Sequence, residues 1–291
     1  MEERKKYVVS EDIHILLGEW AIKKGFCLPS GDFFEQLRKE LWKYLSEIFG
    51  IGNIDMVLAE ELRDGMQKFI RQIDIPVISM DRVYIRTNPE IQIARVVDDF
   101  LNNCGTRPRF GTPSIQEQLA RLKAKYCKIA LIDDVLFSGN VMAEIVSSLE
   151  KIGVAVPVVI VGIAIGEGVE KTQKQTESEV LSVKYYREVI DEICERDFYP
   201  GVPLSGRLVA DEKTEIGSPY LHPFGKPCNW ASIPRNKEKE FSVFCLQQAI
   251  RLWEEIESVS QKNVRCCDLE RIPLGSPCDK FRFVDYLKSL L

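Results

Sequence analysis

An α/β fold, a parallel sheet flanked by helices with helical additions at both ends, is what this sequence predicts. Three observations predict it. Ile129–Ile132 is a short apolar run of the kind a strand buried on both faces needs, and Val154–Ile165 (VAVPVVIVGIAI) is a longer, β-branched one. Between them a helical pattern starts at about Val141 and carries Ile145, Leu149 and Ile152 on one face. Upstream, Ile54–Ala59 reads as a strand, about Met66 to Gln72 as a helix, and Pro76–Met80 as a second strand. That order is a βαβ unit, which implies parallel strands and a right-handed crossover.

At 291 residues the chain has room for one large α/β domain with additions, or for two domains. Its apolar and charged fractions, 45% and 29%, are those of an ordinary globular protein. A net charge of −5 gives no indication of nucleic acid as a general partner. No apolar run reaches membrane-spanning length, and Met1–Tyr7 (MEERKKY) is no signal peptide, so no membrane and a cytoplasmic location are expected. The nine cysteines form no C-x-x-C pair, and with only His14 and His222 beside them a zinc site is not expected. Cys127, Cys194 and Cys245 sit in apolar sequence, where a reduced core thiol is the default.

The elements in order are these. Residues 1–50 form a helical region: a shorter helix around Glu11–Lys24, then one with Phe34, Leu37, Leu41, Leu45 and Ile48 on one face, Ser30 or Asp32 as cap and Gly50 as stop. Residues 51–207 form the core. Within it, Ile91–Leu101 is helix-like, and the Gly-, Pro- and Arg-rich stretch 104–114 reads as exposed and mobile. Gln116–Leu122 is a short helix, and Val180–Tyr186 another strand. The run from Cys194 to Arg207 mixes aromatics, glycines, prolines and charges, and reads as a structured loop. Residues 208–291 are irregular at first, then helical over Glu238–Glu257 and again over Lys280–Leu291, with Asp279 as a cap. The amphipathic helices at both ends offer contact surfaces for a homo-oligomer or for a larger assembly.

The chemistry concentrates in Lys128–Met142, KIALIDDVLFSGNVM. An apolar strand meets two adjacent carboxylates, Asp133 and Asp134. A small polar loop with Ser138, Gly139 and Asn140 follows, and then a helix N-terminus. Loop amides and the helix dipole suit a phosphate. Carboxylates at a strand's C-terminal end suit sugar hydroxyls or Mg²⁺. The alternative is a buried strand that simply ends in a solvated acidic turn.

This stretch resembles the 5-phosphoribosyl 1-pyrophosphate (PRPP) motif of type I phosphoribosyltransferases, an apolar run, two acidic residues and a Thr/Ser/Gly-rich loop. The resemblance spans roughly Ile54–Arg207 and implies a type I phosphoribosyltransferase-like sheet. It implies that Asp133 and Asp134 serve catalysis and hold Mg²⁺, and that Val135, Leu136, Phe137, Ser138, Gly139, Asn140 and Val141 receive the 5′-phosphate. Phe137 and Val141 depart from it, since the family carries hydroxyl residues there; each lost hydrogen bond to a charged phosphate is worth about 1–3 kcal/mol. By the same resemblance Arg63, Asp64 and Gly65 form the pyrophosphate loop, preceded by an atypical Glu60-Glu61. Arg107 and Arg109 reach the pyrophosphate from a lid, with Arg82 and Arg86 next. Asp197, Phe198 and Tyr199 meet the second substrate; the alternative for each is a packed turn, as a solvated basic loop is for the arginines.

The implied function is transfer of ribose 5-phosphate from Mg²⁺-PRPP, or a related phosphorylated ribose, to a nucleophile with release of pyrophosphate. The alternative is a catalytically silent PRPP- or nucleotide-binding subunit. The whole resembles the divergent phosphoribosyltransferase-like proteins associated with bacterial conflict and antiviral systems more than a housekeeping salvage enzyme.

Overall fold

Two units share the chain in a computed structural model that describes residues 4–210, 215–277 and 280–291. The first unit gathers Met1–Met56, Arg95–Gly105 and Ile190–Leu291; the second gathers Val57–Ala94 and Thr106–Val189. In chain order, β1 (Lys6–Ser10), α1 (Ile13–Lys24), α2 (Gly31–Phe49) and β2 (Ile54–Val57) come first. Then follow α3 (Ala59–Ile70), β3 (Val77–Ser79), β4 (Ile93–Val97), β5 (Asn103–Pro108), α4 (Ile115–Lys123) and β6 (Lys128–Leu136). The run continues with α5 (Asn140–Lys151), β7 (Ala155–Ile165), α6 (Gly166–Gln175) and β8 (Glu179–Tyr186). The last third holds β9 (Val189–Cys194), β10 (Arg207–Val209), β11 (Ile216–Ser218), α7 (Pro227–Trp230), α8 (Glu238–Ser260), β12 (Ile272–Pro273) and α9 (Phe283–Lys288). Asp279, expected as a cap for the final helix, lies outside the described residues.

The second unit is the α/β core. Its sheet runs β3-β6-β7-β8 with every pair parallel. Ile129, Leu131, Val159 and Val161 point to one face, where Leu119 and Leu122 of α4 and Met142, Ile145, Val146 and Leu149 of α5 cover them. The other face is covered by α3, which places Leu62 over Gly162. Because both faces are dry, β6 and β7 read as continuous apolar runs rather than alternating ones.

Several expected elements differ. Ile54–Val57 is a strand, but it joins β1 and β9 in the first unit's three-stranded sheet, β2-β1-β9, and not the β3 sheet. The expected βαβ unit is therefore not formed. Glu60–Gly65, expected as a loop, is the first half of α3. Glu60 and Glu61 fall in its first turn, where carboxylates favour the helix dipole. Ile91–Leu101, expected as helix, holds strand β4 and a tight turn, since its β-branched Ile93, Val96 and Val97 suit a sheet. The stretch expected to be mobile begins with β5, the edge strand of the sheet β12-β11-β10-β4-β5. Residues 190–207, read with the core, group with the terminal segments. Among the expected core thiols, Cys245 is buried, Cys194 partly so, and Cys127 exposed.

The first unit holds its own helices around Trp20 and Trp253, whose rings meet edge to face at 5.3 Å; the Trp20 indole also donates to the Asp268 carbonyl at 2.9 Å. Beside this core lies a buried group of charges. Glu195 is fully buried, with Arg38 Nε 3.6 Å from its carboxylate. Asp12, also fully buried, receives the Arg196 guanidinium and the Arg196 amide. Burial pushes the Glu195 carboxyl up to about 8; Arg38 pulls it back, while Asp12 and Glu11 push it further. Folded Glu195 therefore keeps its proton at pH values where the unfolded chain has lost it. Its contribution to stability is complete below the unfolded glutamate's pKa, about 4.3, and is lost as pH rises through about 8. Glu195→Gln, which resembles the protonated acid, is expected to be more stable than wild type at pH 8.5 by on the order of 2–4 kcal/mol. At pH 4.5 the two should be similar. Urea unfolding of both proteins across this range checks it, and parallel curves would sink the idea.

Candidate active site

The site is built where β3 stops and β6 continues. The last rung between them pairs Ser79 with Ile132, and the Met80 amide donates to the Ile132 carbonyl at 2.8 Å. The strand β6 runs four residues further, to Leu136, still paired with β7 on its other side. Asp133 and Asp134 thus lie just past the end of β3, both half-buried. Each carboxylate accepts the amide of the following residue, Asp134 N to Asp133 at 3.1 Å and Val135 N to Asp134 at 2.8 Å. This fixes both side chains beside their own strand.

Beyond β3 the chain wraps around a third carboxylate, which the sequence reading gave no role. Asp81 is 2% exposed and accepts the amides of Val83, Tyr84 and Ile85 at 2.6, 2.8 and 2.6 Å. The Ser79 hydroxyl closes the turn onto the Asp81 and Ile85 carbonyls. Continued by two residues, the β3–β6 register sets Asp81 level with Asp134. Burial, and after it the Asp134 charge, push the Asp81 carboxyl up to about 7, against the three amides that hold it down. Next to it, Arg82 Nε is buried with no hydrogen-bond partner among the described residues.

The phosphate loop follows Leu136. Gly139 stands before α5 with φ +73°, and no side chain caps the helix. The first amides of α5 are therefore left for an anion. The start of α6 presses on this loop: a Cβ on Gly168 would lie 2.3 Å from the Phe137 carbonyl oxygen, and one on Gly139 would lie 2.7 Å from the Gly168 carbonyl oxygen. Only two glycines facing each other permit that approach. One turn further along α6, the Lys171 ammonium donates to the Asn140 side-chain oxygen.

The structure thus brings together Asp133, Asp134 and Val135–Val141. The other expected residues lie on or next to other elements. Arg63, Asp64 and Gly65 form no loop: they lie inside α3, where their amides serve the helix. Gly65 meets the sheet there, since a Cβ on it would lie 2.5 Å from Val183 Cγ1. Gly65→Val is expected to cost about 1–3 kcal/mol of stability by overpacking and to leave ligand affinity within about twofold. Urea unfolding and ligand titration of the same protein check both halves. Arg107 is exposed in β5, and Arg109 follows it, its amide bound to the Gln92 carbonyl at 3.2 Å.

Asp197, Phe198 and Tyr199 belong to the first unit and are all buried. Asp197 accepts the Gly206 amide at 2.7 Å and so holds its own loop. Phe198 packs edge-on to Phe241 with centroids 5.3 Å apart, and Tyr199 is 1% exposed. These rings are core and offer no open face to a base. The signals for the missed residues were slight. Asp81 follows a strand by two positions and precedes amides free to turn back on it, while nothing in the local sequence marks Lys171.

No protein-family model matches the chain, and no curated protein sequence matches it. Among solved structures, the chain is similar to orotate phosphoribosyltransferase from Aeropyrum pernix. Identity is 18% over 44% of this chain and 68% of that one, with a TM-score of 0.25. It is also similar to APRTase from Giardia lamblia, in a complex with 9-deazaadenine. There identity is 14% over 45% of this chain and 80% of that one, with a TM-score of 0.28. The parallel α/β architecture is set by the strand pairing described above. No helix among the described residues is long and apolar enough to cross a membrane.

Proposed function

We propose that the chain binds PRPP across the end of β6 and transfers its ribose 5-phosphate to a nucleophile, releasing pyrophosphate. The observation that carries this reading is the meeting, at one strand end, of the Asp133–Asp134 pair and an uncapped helix start. Asp133 and Asp134 accept the ribose hydroxyls. The amides from Phe137 to Val141 take the 5′-phosphate. The pyrophosphate falls not on α3 but beside the turn after β3, where Arg82 supplies a cation.

Among the described residues no group of three or more His, Cys, Asp or Glu is placed to hold a metal ion. Asp133 and Asp134 would hold a Mg²⁺ together with ligand oxygens and water, the usual habit of that ion. When bound, Mg²⁺ supplies charge neutralisation for the leaving pyrophosphate. As the C1–O bond breaks, the electron pair leaves with pyrophosphate, and C1 becomes cationic until the nucleophile's lone pair closes on it. Stabilising the leaving anion and holding the nucleophile in line are then the chain's contribution.

The placement of Arg63–Gly65 inside a helix, with Phe137 and Val141 lacking hydroxyls, favours a second reading: a binding module without turnover. Isothermal titration of the full chain with PRPP and Mg²⁺ tests both. Absence of binding overturns both readings. Binding without metal-dependent pyrophosphate release across a panel of acceptors selects the second.

A further inference from the structure

We propose that Lys171 and Thr172 of α6 complete the subsite for a phosphate monoester at the start of α5. This rests on the phosphoribosyl reading above and specifies which part of the ligand the chain must recognise. Phe137 and Val141 bring no hydroxyl to that place, so an anion would otherwise have backbone amides and Ser138 alone.

Three observations converge on α6. The Gly139–Gly168 approach fixes the first turn of α6 against the loop, so the residues three and four positions after Gly168 are held at a set height over it. The first of these, Lys171, places its ammonium on the Asn140 side chain, at the opening residue of α5. A cation is the wrong sign for the positive end of a helix dipole, and an anion between them reverses that repulsion. The second, Thr172, is fully buried, and its hydroxyl has no hydrogen-bond partner among the described residues. That hydroxyl lies 3.0 Å from the position a Cβ on Gly139 would take, so it faces the residue before the helix. A buried hydroxyl left unsatisfied is costly, and a bound ligand or its water would satisfy it.

The ligand class is a doubly charged phosphate monoester, for which a mobile ammonium and a hydroxyl are apt partners. The test titrates ribose 5-phosphate and Mg²⁺-PRPP into wild type, Lys171→Met, Lys171→Arg and Thr172→Val, with Lys174→Met as an exposed control on the same helix. Lys171→Met is expected to weaken both ligands about tenfold and equally, because only the shared phosphate is affected. Lys171→Arg should restore most of that loss, and Lys174→Met should change nothing. Thr172→Val should weaken both ligands with its thermal unfolding unchanged. Wild-type binding that Lys171→Met and Thr172→Val leave intact overturns the inference alone. Wild type that binds neither ligand overturns the phosphoribosyl reading and the inference with it.

Discussion

The Asp133→Asn, Asp134→Asn double variant is expected to bind Mg²⁺-PRPP at least 100-fold more weakly than wild type while keeping its fold. Each carboxylate accepts hydrogen bonds as an anion, and such bonds contribute about 1.5–3 kcal/mol each. Losing two charged acceptors, and the charge that draws in the metal, exceeds the roughly 2.7 kcal/mol of a 100-fold loss. The fold should tolerate the change for two reasons. Asparagine keeps the side-chain oxygen that accepts the amides of Asp134 and Val135. Removing the Asp134 charge also relieves Asp81, whose carboxyl that charge pushes upward. Titration calorimetry beside urea unfolding reads both effects. Equal affinity in the variant would remove the ribose from the acidic pair.

Gly168→Ala is expected to damage the site more than the fold. Its new Cβ would meet the Phe137 carbonyl oxygen at 2.3 Å and that of Leu136 at 2.9 Å. Both are backbone atoms, so no rotamer relieves the clash, and either the loop or α6 must move. Overpacking of this kind costs about 1–3 kcal/mol of stability. A loop displaced by about 1 Å loses on the order of 100-fold in function. The contrast is Gly65→Val, where a similar clash is met by a side chain on the sheet and affinity is spared. If Gly168→Ala binds PRPP normally, the loop between Leu136 and α5 is not the phosphate site.

What the sequence revealed, and what it hid, follows from the range of the interactions. Ile129–Ile132 and Val154–Ile165 announced β6 and β7 because strands covered on both faces have no polar positions. The acidic pair and Gly139 were legible because one short segment contains them. The start of α3 was misread because Gly65 is a poor helix former, although Leu62 and Met66 are spaced for a buried helix face. Its glycine answers to Val183, more than a hundred positions away, and no local pattern reports that. Ile54–Val57 was recognised as a strand but assigned the wrong sheet, since its neighbour β1 is distant in sequence and the sheet is completed only by β9. Phe198 and Tyr199 were read as meeting the second substrate because their burial depends on α8 and on a loop closed by Asp197. Lys171 escaped because its meaning depends on where Gly168 places it.

The interleaving of the two units has a consequence for biosynthesis. The strand β1 emerges from the ribosome well before its neighbour β9, which begins only at Val189. The Tyr7 hydroxyl waits for the Ala231 carbonyl, and Trp20 for Trp253 and Asp268. The second unit has all its segments by Val189, while the first unit still lacks the whole of Ile190–Leu291. Domains assemble as their residues appear, and uncovered apolar surface invites aggregation in the interval. The apolar faces of α1 and α2 thus remain without their α8 partner until Glu238–Ser260 has been made. A nascent chain stalled near Val189 would present them to chaperones.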